Sequence, residues 1–484
     1  MKPSRSTTVL HLLLVTIMML LPASLSFSQS TATVQGIWVG VAEINADVKL
    51  TVAFEIFGGE GQPATGFMHS IEQKAFNIPV KEVIVIEDTV RFVVPAIKAE
   101  FAGIVLGETI IGDITQGMNK PWPVTLTRSD RLPVDKPGRP QEPVRPLPYY
   151  EEAVKYNNEG AGVTLAGIFT RPSAEGKYPA VILISGSGPN DRDESIFGHK
   201  IFLVLADQLT RSGFAVLRVD DRGVGESTGD FPSATVTDLA SDVVAGAAFL
   251  MSRPDVDSKK IGLIGHSLGG DIAPIAASKS KDIAYIVLMA GAAKPLYQVI
   301  YEQCDAIFAT MGIRQEAIDI NRKVLETLFE TIKTEKDSAV AKKIIREKFL
   351  ELDKEVAGLS EDERRQIQLS YPLNPGDADY YYRPAKRFDF FYDPAEYLRK
   401  VKCPVLALIG SKDIQVLPSH LVLIEDNLRK AKNKNFEVME LEGLNHLFQT
   451  CQSCTVEEYS LIPETLSPVF ITVITDWLRK TTNQ

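Results

Sequence analysis

Six short apolar runs constrain this chain more than any other feature. They read YPAVILISGSG from Tyr178, FAVLRVDDRG from Phe214, KKIGLIGHS from Lys259, IAYIVLMAG from Ile283, CPVLALIGS from Cys403 and FEVMELEG from Phe436. Each ends at Gly, Ser or Asp, and amphipathic stretches such as Phe202 to Leu209 and Val236 to Leu250 lie between most of them. A strand that is apolar on both faces must be covered on both, which a parallel sheet with crossover helices achieves. In such sheets the chemistry sits at the carboxyl ends of the strands. The rhythm breaks once, at about residues 296–397. There Val324, Leu325, Leu328, Phe329 and Ile332 share one helical face, and Ile344, Ile345 and Phe349 share another. That pattern predicts a helical cap inserted after IAYIVLMAG.

Upstream the period changes from helical to alternating. Residues 31–128 hold runs such as VKLTVAFEIF, KEVIVIEDTVRFVVP and ETIIGDITQ, separated by Gly, Asn and Asp turns, which predicts a small all-β barrel or sandwich. Residues 129–148 carry prolines at 133, 137, 140, 143, 146 and 148, so an extended, semi-rigid linker is expected there. The second domain then occupies 149–484. At the N-terminus, Lys2 and Arg5 precede the apolar run Val9 to Leu21, and small residues follow Pro22; residues 1–28 read as a cleaved secretory signal peptide. The run is short for a membrane span, so the expected product is exported, periplasmic or secreted, with no membrane span after cleavage.

Composition narrows the partners. Hydrophobic residues make up 45% and charged residues 24%, the balance of an ordinary globular protein. A net charge of −10 disfavours nucleic acid and anionic membrane, which need clustered Lys and Arg. Of the four cysteines, Cys451 and Cys454 lie close enough for a disulfide in an oxidising compartment. Their C-x-x-C sits in a polar loop rather than opening a helix, so a local staple or free thiols are expected in place of a redox centre. A zinc site would need two further ligands, and only His446 is near.

The run KKIGLIGHS leads into Gly265-His266-Ser267-Leu268-Gly269, a G-x-S-x-G elbow in the strand–turn–helix context that motif requires. Strand and helix nearly touch there, so the flanking residues must lack side chains. A serine hydroxyl needs a neighbouring base to become a nucleophile. Six histidines are present. His11 leaves with the leader, His69 lies in the β domain, His199 precedes the serine, His266 belongs to the elbow and His420 begins a helix. Only His446, in LEGLNHLF past the last strand, fits the order Ser…Asp…His. Asp413, in the loop after CPVLALIGS, is the orienting acid, since LMAGAAK offers none. The anion-binding N–H groups are those of Leu268 and of Ser187 in the glycine-rich loop after YPAVILI. A phosphate-binding reading of that loop fails for want of G-x-x-x-x-G-K-[ST]. The stretch Asp221-Arg222-Gly223-Val224-Gly225-Glu226-Ser227 imitates a dinucleotide loop, but Thr228 stands where its last glycine belongs. Asp221 and Arg222 are instead expected to brace the loop as an ion pair.

With these pieces, SGSGPNDRDE, DDRGVGESTGDF, GHSLGGDIAP, FFYDPAEYL, CPVLALIGSKDIQV and GLNHLFQ, the chain from the linker onward resembles the α/β-hydrolase superfamily. It is most similar to bacterial carboxylesterases of the esterase D type, and also resembles serine aminopeptidase and prolyl-oligopeptidase-like hydrolases. The resemblance implies an α/β-hydrolase fold: a mostly parallel central sheet with helices on both faces and a helical cap, preceded by the β domain. It implies that Ser267, Asp413 and His446 form the triad and that Ser187 and Leu268 supply the oxyanion donors. Two features depart from the family: Ser185 stands where the oxyanion strand commonly has histidine, and TCQSCT follows the base loop. The expected activity is cleavage of short- to medium-chain carboxylic esters of a small molecule through an acyl-enzyme, with no metal or organic cofactor required. A peptidase, a thioesterase or lactonase, and a non-catalytic binding protein are the competing readings. Tyr371, Tyr380, Tyr381, Tyr382, Phe388, Phe390 and Phe391 of the cap line an acyl pocket or form the cap's own core.

Overall fold

The computed structural model describes residues 34–44, 48–57, 64–73, 75–117, 120–133, 139–361, 363 and 381–483. The expected signal peptide, part of the linker and the cap residues Tyr371 and Tyr380 lie outside the described residues. The first nine strands are β1 (Gly36–Glu43), β2 (Lys49–Phe57), β3 (Thr65–Ser70), β4 (Ala75–Val80), β5 (Glu82–Ile86), β6 (Thr89–Val94), β7 (Ala99–Leu106), β8 (Thr109–Gln116) and β9 (Trp122–Ser129). They form one sheet in the order β4-β3-β2-β1-β9-β8-β7-β6-β5. The first and last strands pair antiparallel, Trp38 opposite Arg128. The two edge strands are consecutive in the chain, and β4 packs against β6, so the sheet curls into a half-barrel. Alternation puts one residue in two inside: on β7 Ala99, Phe101 and Val105 are buried while Ile104 and Leu106 face out. Phe54 lies against Phe92 and Phe101 at 5.0 and 5.6 Å in the interior.

In the Pro-rich segment, residues 139–148 are anchored rather than free. Arg139 donates to Gly198 O at 2.9 Å and Ser460 O at 2.8 Å. Gln141 donates to Leu466 O at 2.7 Å. Its second half is therefore seated on the domain that follows.

That domain holds β10 (Tyr150–Asn158), β11 (Val163–Arg171), β12 (Tyr178–Ile184), the short ribbon β13 (Ser195–Ile196) and β14 (His199–Lys200), β15 (Ala215–Val219), β16 (Val256–His266), β17 (Tyr285–Met289), β18 (Val405–Gly410) and β19 (Phe436–Leu441). Its main sheet runs β10-β11-β15-β12-β16-β17-β18-β19, antiparallel at β10 and β11 and parallel from β15 onward. The six apolar runs are the six parallel strands. Successive residues feed opposite cores: Ala180, Ile182 and Ile184 pack on one face, Val181 and Leu183 on the other. The first face is covered by α2 (Val236–Met251), α3 (Leu268–Lys279) and a later helix, His420–Lys430; the second by α1 (Ile201–Arg211) and the C-terminal helix Pro468–Thr482. The chain passes from β12 to β15 on one side and returns to β16 on the other, so a crevice opens at the ends of β12 and β16.

The cap contains α4 (Leu296–Thr310), α5 (Gln315–Thr334), α6 (Ser338–Val356) and α7 (Pro384–Phe391). Phe329 sits at its centre, 5.5 Å from Tyr381 and 5.4 Å from Phe390. Those two rings are the cap's own core; Tyr382 and Phe391 pack on it, and Phe388 is partly exposed and stacked on Tyr392. The cap is tied to the sheet by Tyr392, whose hydroxyl donates to Asp271 Oδ2 on α3 at 3.2 Å.

Asp271 is buried, and its Oδ1 has no partner among the described residues. Burial pushes its carboxyl up to about 8, against the pull of the Tyr392 hydroxyl and the Ala292 N–H. An acid whose folded pKa lies above its unfolded value, about 3.9, stabilises the fold fully only below that value. The contribution is lost as pH rises toward 8. Asp271→Asn should therefore gain thermal stability relative to wild type progressively between about pH 4 and 8. Melting curves across that range check it; a difference that does not change with pH contradicts it.

Candidate active site

Ser267 directly follows β16 and caps α3 with φ 52° and ψ −117°, a left-handed backbone that a non-glycine residue holds only when its surroundings impose it. Here they do. Ser267 N–H donates to Met289 O on β17 at 2.8 Å, and its carbonyl accepts from Gly270 N–H at 2.8 Å. A Cβ added at Gly265 would overlap Gly269 O, and one at Gly269 would overlap Ile184 O. Both glycines of the elbow are thus sterically required, as the motif predicts.

Asp413 and His446 come to the same rim from β18 and β19. Asp413 is 2% exposed. Its Oδ1 accepts the N–H groups of Gln415 and Val416 at 2.8 and 2.9 Å, and its Oδ2 takes His446 Nδ1 at 2.8 Å. The base loop folds on Asn445, whose Oδ1 accepts the N–H groups of Leu447 and Gln449 at 3.0 Å each. Among the described residues no hydrogen bond joins Ser267 Oγ to His446. The elbow and the base loop meet one residue earlier, where His266 Nε2 faces His446 O at 3.1 Å with the two rings 5.1 Å apart.

The loop after β12 lies over the serine. A Cβ at Gly186 would sit 3.3 Å from Ser267 Cβ. Ser187 is exposed, and among the described residues neither its N–H nor that of Leu268 has an acceptor in the protein. Asn190 Nδ2 gathers the loop by donating to Gly186 O at 3.1 Å and Gly188 O at 2.9 Å. Ser185, in place of the family's histidine, donates to Asp221 Oδ1 at 3.0 Å, and Asn190 N–H donates to Asp221 Oδ2 at 2.9 Å.

The expected Asp221–Arg222 ion pair does not form. Arg222 instead reaches Asp242 on α2, with Nε 2.6 Å from Oδ2, and Asp220 pairs with Arg192. Consecutive residues at the end of a strand point to opposite sides, so neighbours in sequence cannot share one pair here. Asp221, left among neutral donors, is pushed by burial up to about 7 despite the donors from Asn190 and Ser185.

The other described histidines lie elsewhere. Burial lowers His199 to about 4 while it contacts Thr465 and Tyr459 O. His420 takes Ala293 N–H at 3.0 Å and faces Glu302 at 2.8 Å. His69 is buried in the half-barrel. The residue that sequence reasoning missed is Glu194, buried beside His266 at 2.9 Å. It stands within SGSGPNDRDE, but nothing in that string says where its carboxylate goes. Cys451 and Cys454 are joined as a disulfide. Among the described residues no cluster of three or more His, Cys, Asp or Glu side chains could hold a metal ion, and no helix is long and apolar enough to cross a membrane.

Comparison with known proteins places residues 199–450 on the family model Hydrolase_4, described as serine aminopeptidase, S33. Esterase EstD of Thermotoga maritima is 27% identical over 302 residues, covering 62% of this chain and 62% of its own length, so the chain spans less than two thirds of that relative. An uncharacterized 31.7 kDa protein of Escherichia coli is 24% identical over 262 residues, covering 53% of this chain and 78% of its own. Among solved structures, the Pyrococcus furiosus esterase Pf2001 aligns with 69% of this chain and 93% of its own at 18% identity and TM-score 0.40. Est1E of Butyrivibrio proteoclasticus, with ferulic acid bound, aligns with 68% and 97% at 16% identity and TM-score 0.39.

The packing of the elbow yields a direct test. Gly269→Ala must push the α3 backbone off β12, an overpacking cost of about 3 kcal/mol or more. The expected result is a lower melting temperature or loss of soluble protein; an unchanged melting temperature would show that the backbones do not touch.

Proposed function

We propose, from the premise that the chain belongs to the Hydrolase_4 family of serine aminopeptidase S33 type, that it is a serine esterase acting on small carboxylic esters through an acyl-enzyme. The observation that carries this reading is the buried Asp413–His446 hydrogen bond, 2.8 Å long, on the rim that also holds the strained Ser267. An Nδ1 bound to a carboxylate is a donor, which leaves Nε2 of the neutral ring free to accept a proton. Ser267 Oγ attacks the ester carbonyl as His446 Nε2 takes its proton, and the imidazolium is stabilised by Asp413. The tetrahedral oxyanion rests on the N–H groups of Ser187 and Leu268; one such donor is typically worth about 2.7–4 kcal/mol of barrier. His446 then returns the proton to the leaving alcohol, and water, deprotonated by the same ring, hydrolyses the acyl-enzyme. The Ser267–His446 hydrogen bond forms as substrate binds, since catalytic hydrogen bonds commonly tighten in the complex.

The name of the Thermotoga relative supports an ester as substrate. The second reading, a serine aminopeptidase, is supported by the family description and differs only in the leaving group. A p-nitrophenyl acyl ester series assayed beside aminoacyl anilides separates the two. Export is supported by the disulfide Cys451–Cys454, and N-terminal sequencing of the mature protein tests cleavage near residue 28.

Ser267→Ala should abolish p-nitrophenyl acetate hydrolysis and fluorophosphonate labelling in a protein with wild-type circular dichroism; substantial residual turnover refutes the nucleophile. Asp413→Asn should lower kcat by about 10³- to 10⁴-fold by presenting the wrong tautomer. A loss under about tenfold would remove Asp413 from that role.

A further inference from the structure

We propose that Glu194 and His266 are a positioning pair for acyl transfer, locking the anion-binding loop, the serine elbow and the base loop into one arrangement; the inference rests on the serine-esterase reading. Glu194 follows the glycine-rich loop with φ 48° and leads directly into the ribbon β13–β14. It is 2% exposed. One oxygen, Oε1, accepts Gly186 N–H at 2.7 Å and meets His266 Nδ1 at 2.9 Å. The other ring nitrogen, Nε2, faces His446 O at 3.1 Å. A carbonyl only accepts, so Nε2 carries a proton. The remaining proton lies between Nδ1 and Oε1. Burial by itself would strip His266 toward neutrality, but the Glu194 carboxylate holds it above the ordinary histidine range, helped by the His446 carbonyl and by Asp413.

Three loops end on this pair. Gly186 is wedged between Glu194 and Ser267: a Cβ there would lie 3.1 Å from Oε1 and 3.3 Å from Ser267 Cβ. Asn190 grips Gly186 O, which shares a peptide plane with Ser187 N–H, so the oxyanion donor is set from both sides of residue 186. His266 is bonded directly to the serine, and the carbonyl it holds belongs to the base. The pair touches neither substrate nor the reacting atoms; it acts through the groups that do.

Its other oxygen makes the case for function over packing. Glu194 Oε2 is buried with no hydrogen-bond partner among the described residues. A buried, unsatisfied carboxylate oxygen lowers stability, and such costs gather where a site requires them.

The test compares wild type, Glu194→Gln and Ser267→Ala on p-nitrophenyl acetate, with active sites counted by exhaustive fluorophosphonate labelling. Glu194→Gln keeps the shape but removes the carboxylate that faces His266 Nδ1. Turnover per labelled site should fall about 10- to 100-fold, the scale of a slight misplacement of catalytic groups, with KM within about twofold, as expected of transition-state effects. A purely structural role would reduce the labelled fraction and the melting temperature while leaving turnover per site at the wild-type value; that result overturns the proposal. His266→Gln approaches the pair from its other member and should show the same split. Should neither variant fold, low-field proton spectra of the wild type decide. Two strongly hydrogen-bonded imidazole N–H resonances, from His266 and His446, are expected, and a single one overturns the pair. Wild-type turnover in Ser267→Ala would remove the esterase reading itself; an inactive Ser267→Ala beside an undiminished Glu194→Gln removes the pair alone.

Discussion

Backbone-to-backbone contact at the strand ends is the constraint on which the site depends. Gly265 and Gly269 let α3 start where β16 stops, and they let Ile184 of β12 touch that junction. The same device recurs two strands away. A Cβ on Gly410 would overlap Leu444 O, and Lys412 N–H donates to that same carbonyl at 3.0 Å. One pair of glycines brings the β12 loop to the serine; a single glycine brings the acid loop to the base loop. Side chains can then meet at hydrogen-bond distance because the main chains beneath them are already in contact.

Electrostatics at this rim follow from how each buried acid is discharged. Two histidine–carboxylate pairs lie side by side, Asp413–His446 and Glu194–His266, with rings 5.1 Å apart. They differ in one respect. The second nitrogen of His266 is committed to a carbonyl, whereas that of His446 has no hydrogen-bond partner among the described residues. Nearby acids are neutralised in two ways. Asp220 and Asp242 take arginines. Asp221 and Asp271 have neutral donors, and burial raises both.

Much of this was legible in the sequence, for reasons that are local. Strands buried on both faces betray themselves by unbroken apolar runs, and the elbow by two glycines around a serine. The half-barrel was visible only as alternation, because period-2 burial is the same in a sandwich and a barrel; closure depends on β4 meeting β6, a contact no residue announces. The Asp221–Arg222 pair is absent because adjacency along a strand end is not adjacency in space. Glu194 is hidden from the sequence for the same reason in reverse. Eight residues separate it from Gly186, and 72 separate it from His266. Glu194 itself has a left-handed backbone, φ 48°, which no residue type in SGSGPNDRDE predicts.

The base loop is held by parts of the chain remote from it in sequence. Asp413 Oδ1 holds Gln415, Gln415 reaches the Tyr459 hydroxyl at 3.3 Å, and His199 contacts Tyr459 O and Thr465. From the other side Gln141 accepts the N–H groups of Thr465 and Leu466, and Arg139 donates to Ser460 O and Ile462 O. Between these anchors the disulfide Cys451–Cys454 closes a turn five residues past His446, and Glu458 accepts the N–H groups of Gln452 and Cys454 inside it. A histidine on a long surface loop would wander, because each ordered residue costs about 1–2 kcal/mol of backbone entropy. Here that entropy is removed by contacts spread over the interdomain segment, the first helix region and the loop itself. The segment joining the half-barrel to the sheet is thereby a structural element of the base loop as much as a connection between domains.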